Sequence, residues 1–552
     1  MKKSSLIIAA IVAIIVGVAA FLVIDGCGCS CSSASESKRA KIEQPFVCYF
    51  NLEQLAQKGA FDKFILPEQR RLAASVASAN ILDSAVATHA EAVIVDLATS
   101  GLDITRPAYG YLYEDKQTMV FVAEVANVDN LDKTVDVLSY FAEQEGAILT
   151  KEIVGGDRYL YLDNAVLCYN DSRVAVVLED GDDAKSIATE VLGGLLLDLS
   201  LFGDADVAYY VDINDMIDIV ENNMANDLEY ENVDDGGQRV NLLDKYRACF
   251  EQDAYFVSSA LFDAGRIVVD SYVKGLKDGL YSGVNKEVEL NHLNYVSSDV
   301  LALIGGGVNG VKMAALLEAM LNSEEAAMLG LRSNNELNMA MAIAIDAIET
   351  IDGDVTIALQ SLDGEYKEQV DYFWGGVEYR PIINSVSAAL MADVTDTYII
   401  TNLGEFAGGL LHKVGDNHYM SQFGDYAVCL KQSDSMLFAG VNMSAKESEK
   451  PATKARWIAD IEGSVGYFVV DIDKVVNTKF VRSVSEIVME NIDYPKLYSQ
   501  LMQMFSYAYV TAYSDGSSKL VFVLDDATTN ALEQLSGVVL PVVVNESLKS
   551  IM

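Results

Sequence analysis

Proline, cysteine, histidine and basic residues are all scarce in this chain, and each shortage removes a class of protein. Seven prolines in 552 residues exclude collagenous and proline-rich spacer architectures. Seven cysteines over the same length are too few for a disulfide-dense scaffold. Four histidines leave little imidazole for metal or general-base work, and no His-Glu-x-x-His zinc signature occurs. Lys and Arg number 39 against 81 Asp and Glu, a formal charge of −42. Most of the surface therefore repels polyphosphate, which argues against nucleic acid as a partner. What is present is 51% hydrophobic and 22% charged, inside the range of chains that bury a real interior. The length suits two large domains or roughly three to four ordinary ones.

Met1-Lys2-Lys3 leads into an apolar run from Leu6 to Ile24, broken only by Gly17. A secretory core segment takes about 7 to 15 residues and a bilayer-spanning helix about 17 to 25, so the length favours a span. The nearest cations, Lys2 and Lys3, precede the run. That bias places the N-terminus in the cytoplasm and sends the body outward. Cys27, Cys29 and Cys31 follow at once. Ile24, Gly26 and Cys27 fit a lipoprotein signal, which makes Cys27 the candidate lipid attachment residue, whereas Asp25 does not fit and favours an uncleaved anchor. Metal binding by the three thiols lacks the second ligand pair of a closed site. Residues 1–26 are thus the anchor or signal, and 27–46 a flexible tether. Cys48, Cys168, Cys249 and Cys429 lie in apolar runs and read as unpaired core thiols.

One pattern recurs through the body: an apolar strand ending in Asn or Asp that turns directly into a helix. Val47 to Leu55 is the first instance, with Val207 to Asn214, Val465 to Asp473 and, more loosely, Asp299 to Asn309 and Thr397 to Asn402 as others. Asn and Asp suit that junction as helix caps. Copies begin at 47 and 299 and at 207 and 465, hairpins open at Ala254 and Ala508, and Asp163 recurs at Asp425. Nearly one separation runs through all four, as a tandem copy would give. Strands are expected at Tyr159–Tyr169, Arg173–Leu178, Val355–Leu359 and Leu520–Leu524, and helices near 67–88, 128–144 and 480–505. The fold class is α+β: two similar halves, 47–280 and 291–545, of mainly antiparallel sheet with helices packed on one face, and a linker near Lys277 to Asn291.

The lysine-led anchor, Val47 to Leu55, Gly101-Leu102-Asp103-Ile104-Thr105-Arg106-Pro107 and Thr529 to Leu535 together resemble uncharacterised cell-envelope proteins of Bacteroidetes, many of them lipoproteins, grouped as a domain of unknown function. The resemblance spans nearly the whole chain on short motifs. It implies an envelope location and an α+β fold, and it supplies no catalytic residue.

Chemistry-bearing motifs are few. Gly305 to Gly310 reads G-x-G-x-x-G after a strand and before a helix, the local context of a dinucleotide turn. No apolar strand follows to carry the ribose-binding acid, so the glycines read as a tight structural turn and no cofactor is expected. His412 and His418 flank Asp416 and offer a metal reading if the turn folds back, with solvation as the alternative. His89 and His292 read as incidental. Ser271 and Lys274 match Ser-x-x-Lys, but positions three apart on a strand face opposite sides. The acidic stretches Glu179 to Asp183, Asp227 to Asp235 and Asp352-Gly353-Asp354 lack EF-hand spacing and read as solvated turns. Tyr372-Phe373-Trp374-Gly375-Gly376 reads as strand core, or, if exposed, as a stacking platform for sugar or peptide.

The expectation is a non-catalytic, membrane-tethered extracytoplasmic binding or structural protein of the bacterial cell envelope, which holds or binds an envelope protein, peptide or glycan through a broad sheet surface, with no catalytic residue or metal ligand named. The alternative is an envelope hydrolase using carboxylates or a metal where the halves meet.

Overall fold

The computed structural model describes residues 42–551, apart from 66, 80, 114–117, 145, 148, 163–164, 179–182, 195–196, 229–246, 278–282, 322–341, 343, 371–376, 407–410, 434 and 490–494. The anchor, Cys27 and most of the tether lie outside the described residues. So do most of the acidic stretches at 179–183 and 227–235 and the aromatic stretch 372–376. The described chain is mixed α and β, built on one antiparallel sheet of 21 strands.

The first strands are β1 (Phe46–Phe50), β2 (Ala108–Leu112), β3 (Met119–Glu124), β4 (Thr150–Val154), β5 (Asp157–Leu162), β6 (Ala165–Tyr169), β7 (Arg173–Leu178), β8 (Val207–Asp212), β9 (Phe250–Asp263) and β10 (Arg266–Leu276). Across the sheet they stand in the order β4-β5-β6-β7-β3-β2-β1-β8-β9-β10. After a short β11 (Asn285–Lys286) come β12 (Ala302–Asn309), β13 (Ile351–Val370), β14 (Val377–Val394), β15 (His412–Gly415), β16 (His418–Phe423), β17 (Tyr426–Ser433), β18 (Met436–Val441), β19 (Gly466–Val470), β20 (Phe505–Ala512) and β21 (Ser517–Leu524). Their order is β15-β16-β17-β18-β14-β13-β12-β19-β20-β21, the same succession. The runs join where β10 pairs antiparallel with β21, Val269 opposite Leu520. Two corresponding strands meeting antiparallel make a local two-fold axis at that pair.

The corners form as the sequence pattern requires. Asn51 accepts a hydrogen bond from Gln54 N, Asp212 from Asp215 N, Asn309 from Lys312 N and Asp471 from Lys474 N, each at 3.1 Å. A capping oxygen satisfies one of the orphan amides of each first turn. These caps match Asn51 with Asn309, so the strand related to β1 begins at Ala302 rather than at Asp299.

Several expected elements are subdivided. Tyr159–Tyr169 holds parts of β5 and β6, which pair as a hairpin. The helix near 67–88 is two, Pro67–Ala79 and Ser84–Val95, because Asp83 caps a new start at Ala85 N and Val86 N. Lys479–Met489 and Pro495–Met504 replace the single helix at 480–505, and the chain is already strand at Phe505.

Helices cover both faces of the sheet rather than one. Face one carries Tyr111, Tyr210, Tyr255, Tyr467 and Tyr509. On the first run it packs against the helix Ala184–Gly193, and on the second against Leu293, Val296, Trp457 and Ile461. Face two is covered by Val128–Gln144 over Leu167 and Val174, and by Tyr398–Phe406 over Leu430 and Leu437. β7 shows why: Val174 and Val176 point one way, Ala175 and Val177 the other, and both pairs are packed, as in a doubly covered strand. The stretch expected as a linker is no free tether. Lys286 pairs with Gly307, and Val284 and Val288 are buried.

Candidate functional site

Gly305 to Asn309 of the glycine motif lie inside β12 and Gly310 opens the helix Gly310–Leu321, so the motif forms no turn. Alternation sends Leu303 and Gly305 toward face one and Ile304 and Gly306 toward face two. A Cβ on Gly305 would lie 2.5 Å from the ring of Tyr467, so the glycine leaves room for that ring. At Gly310 the obstruction is the carbonyl of Ile348, at 2.0 Å. The motif serves close packing of strands, with no cradle of free amides, because β12 is hydrogen-bonded on both sides.

Below Gly305 is a polar network that the sequence left unread. Tyr467 Oη lies 3.3 Å from Thr356 Oγ1, which lies 3.2 Å from His292 Nδ1. His292 Nε2 is 3.0 Å from Asp393 Oδ1, and Asp393 Oδ2 accepts from Asp354 N. Asp354 accepts from the amides of Glu289 and Leu290. His292 is 1% and Asp354 2% exposed, so the incidental reading of His292 and the solvated reading of Asp354 fail, while Asp352 is exposed; the stretch is strand, not turn. The reason is that residues 288–301 fold back onto the sheet and present their amides to it. Burial pushes the Asp354 carboxyl above its ordinary range, against the pull of the two amides and His292. Burial acts the same way on Asp393, but the hydrogen bond and charge of His292 outweigh it and hold the carboxyl low. Thr356 is 1% exposed and the Asp393 side chain 23%, and the row Thr-His-Asp acts as a latch that holds the 288–301 segment to β13 and β14.

The other sequence candidates separate. His412 is exposed on β15, while His418 lies on β16 with Nε2 3.7 Å from Cys429 Sγ. Among the described residues no group of three or more His, Cys, Asp or Glu is placed to hold a metal ion. Ser271 donates to Ser258 Oγ on one side of β10, and Lys274 lies over the Tyr255 ring on the other. His89 meets Thr134 Oγ1, and burial lowers its pKa. Cys48, Cys168 and Cys429 are free thiols. Burial raises the first, and pushes Cys168 up to about 12, which leaves both protonated and inert.

The feature best suited to a partner is on face two. Ile304 stands opposite Ile357 on one side and Phe468 on the other; Ile357 is opposite Leu390, and Phe468 opposite Val510. These five side chains, on five adjacent strands, are 38% to 52% exposed. At about 4.8 Å per strand the row is about 19 Å long. Beyond Val510 it continues through Leu520, Val269, Ala260 and Val207 to Phe50. There it is covered: Phe50 and Ala260 are buried, and Leu532 and Leu535 of the C-terminal helix Ala531–Ile551 pack in one cluster with Val207 and Leu55. Sequence reading missed the row because an apolar strand looks the same whether one face is covered or open.

A second feature is a cavity of about 490 Å³ at the β10–β21 seam, on face one, lined by Asp263, Gly265, Arg266, Asp460, Tyr507 and Tyr509. Tyr507 Oη donates to Asp460, and Arg456 stacks on the Tyr507 ring. Burial and the Asp460 charge raise the pKa of both phenols, which keeps them as protonated donors.

No protein-family model and no curated protein matches the chain. Among solved structures, TP0453 in crystal form IV is similar at 10% identity over 42% of this chain and 76% of that one, with a TM-score of 0.22. Form III gives 9% identity over 45% and 79% at 0.22, and form I 11% over 43% and 77% at 0.21. Scores this low carry no argument about fold or function. Among the described residues no helix is long and apolar enough to cross a membrane.

Proposed function

We propose that the chain is a membrane-tethered, extracytoplasmic binding protein of the bacterial cell envelope, related to the Bacteroidetes envelope proteins it resembles, and that it engages its partner through the open row on face two. The apolar run Leu6–Ile24 supports the tether, with Cys27 as lipid attachment residue if the run is cleaved. The observation that carries the binding role is the row itself: five large apolar side chains in register on a folded sheet, of a kind that marks interaction surfaces. The repeated strand order and capped corners support tandem duplication of one ancestral block, in which both copies keep the scaffold and only one keeps its face free.

Carbene footprinting tests this reading. Ile304, Ile357, Leu390, Phe468 and Val510 should be labelled in the purified full chain and protected in native envelopes. Equal labelling in both settings refutes a bound partner on this face. Mass measurement of membrane-extracted protein decides the tether, since retention of residues 1–26 excludes acylation at Cys27.

The hydrolase reading has one observation in its favour, the seam cavity with Asp263 and Asp460 on its wall. It requires that Asp460→Asn abolish a hydrolytic activity of the purified chain; the binding reading expects no such activity.

A further inference from the structure

We propose that the seam cavity on face one binds a small zwitterion with an aliphatic side chain, an α-amino acid or a dipeptide, with its ammonium group at Asp460 and its carboxylate at Arg266. This site is independent of the row on face two.

Comparison of the two runs shows how the cavity arises. The caps match Asp212 with Asp471, which sets Tyr210 of β8 level with Val469 of β19. Strand pairing carries the match across the sheet. Tyr210 opposes Val257 as Val469 opposes Tyr509, and Val257 opposes Tyr272 as Tyr509 opposes Val521. Ahead of β8 the short helix Leu199–Phe202 matches Ile458–Ile461, because Ala205 N donates to Phe202 O as Ser464 N donates to Ile461 O. Leu201 therefore stands where the second run has Asp460. In the first run Leu201, Val257 and Tyr272 pack in one apolar cluster. The second run has a carboxylate in place of Leu201, a phenol in place of Val257 and the smaller Val521 in place of Tyr272. Space and polar groups thus replace a filled core at one spot.

A carboxylate set among such residues loses hydration and needs partners. Tyr507 Oη donates to Asp460 Oδ2 at 3.4 Å, and Tyr509 bonds the same carboxylate. Two phenol donors leave lone pairs on Asp460 for an ammonium group. Arg266 Nη2 donates to Asp263 at 3.4 Å, and the remaining donors of its planar fork suit a carboxylate. Val521, Val523 and Ala527 line the same cavity and suit an aliphatic side chain. Its volume of about 490 Å³ lies within the range of small-molecule sites, roughly 300 to 1,000 Å³. A sugar ring finds no free aromatic face there: Arg456 stands 4.5 Å from the Tyr507 centroid, the Tyr507 and Tyr509 rings stack at 6.3 Å, and both are buried.

The test is calorimetric titration of the full chain in phosphatidylcholine nanodiscs with L-leucine and with L-leucyl-L-leucine. At least one should bind saturably. It should bind at least tenfold more tightly than its N-acetyl form, which lacks the ammonium group, and than its methyl ester, which lacks the carboxylate. Asp460→Asn should narrow the gap to the acetylated form, and Arg266→Gln the gap to the ester. Asp460→Leu and Val521→Tyr, which place the first run's residues in the cavity, should each abolish binding. Where these variants misfold, the comparison of ligands on the unaltered chain still decides. Absence of saturable binding by either ligand, equal binding of the acetylated or esterified form, or undiminished binding by folded Val521→Tyr overturns the proposal. Glucose binding that Val521→Tyr removes would replace the zwitterion with a sugar and overturn it too.

Discussion

On one side of the seam Phe50 and Ala260 are buried and Val207 packs in a cluster with the helix Ala531–Ile551, while on the other Ile304, Phe468 and Val510, reached by the same number of strands, face outward. The two runs share strand order and helix caps, and the caps place Phe50 level with Val308 and Val207 level with Gly466, so the buried and the open residues stand at different heights along their strands. The segments that succeed the runs also differ: a long helix after Leu524, and after Leu276 a stretch that pairs with the sheet at Lys286. The polar interiors diverge as well. The first run ties the helix Leu52–Gly59 to the sheet through Lys58 and the fully buried Asp206, which also accepts from Phe262 N. At the matching position before β19 the second run has Val465, and beside it Ser464, whose hydroxyl donates to Ile461 O. Its own buried polar device is the His292 latch instead.

The largest effect should come from that contrast. Asp206→Ala strands Lys58 and the Phe262 amide and is expected to cost about 3 to 5 kcal/mol in denaturant unfolding, whereas Ser464→Ala should cost about 1 kcal/mol. A similar split is expected on face two. Phe50→Ala should cost about 3 to 5 kcal/mol as a core truncation, and Phe468→Ala less than about 1 kcal/mol. Comparable losses at both would mean that the second face is covered after all.

Gly305→Ala pushes a methyl into the Tyr467 ring and is expected to cost about 1 to 3 kcal/mol. Gly306→Ala, whose nearest neighbour is the Val465 carbonyl at 3.2 Å, should be milder. Full stability in both, measured by thermal unfolding, would show that the glycines are not there for packing.

The smallest effect is in the pH profile. Asp393 is held below its ordinary value of about 3.9, so its stabilisation is present above about pH 4 and lost as pH falls through the lower folded value. Asp354 is raised and has the opposite sign: its contribution is present at low pH and lost as pH rises through the folded value. Asp393→Asn should flatten the acid side of a melting-temperature profile, and Asp354→Asn should remove the loss on the rising side. An unchanged profile in both would show that the latch does not hold the 288–301 segment.

The sheet scaffold was largely legible from residues. Asn51, Asp212 and Asp471 announce corners because a capping oxygen before an apolar helix has few other uses, and Arg173–Leu178 and Val128–Gln144 fall where periodicity puts them. Local signals do not carry pairing between distant segments. The sequence around His292 holds no hint that Asp354 and Asp393 close on it, and Gly305 reads as a turn until Tyr467 is seen lying over it. Nor does an apolar strand report coverage: Ile304 and Leu303 are neighbours of one hydrophobic run, the first open and the second buried.

The central claim, one apolar row covered on one side of the seam and bare on the other, is tested most directly by carbene labelling of the purified full chain resolved to single residues. Strong labelling is expected at Ile304, Ile357 and Phe468, with little at Phe50, Ala108 and Val207. Labelling of the two sets to the same extent would contradict it.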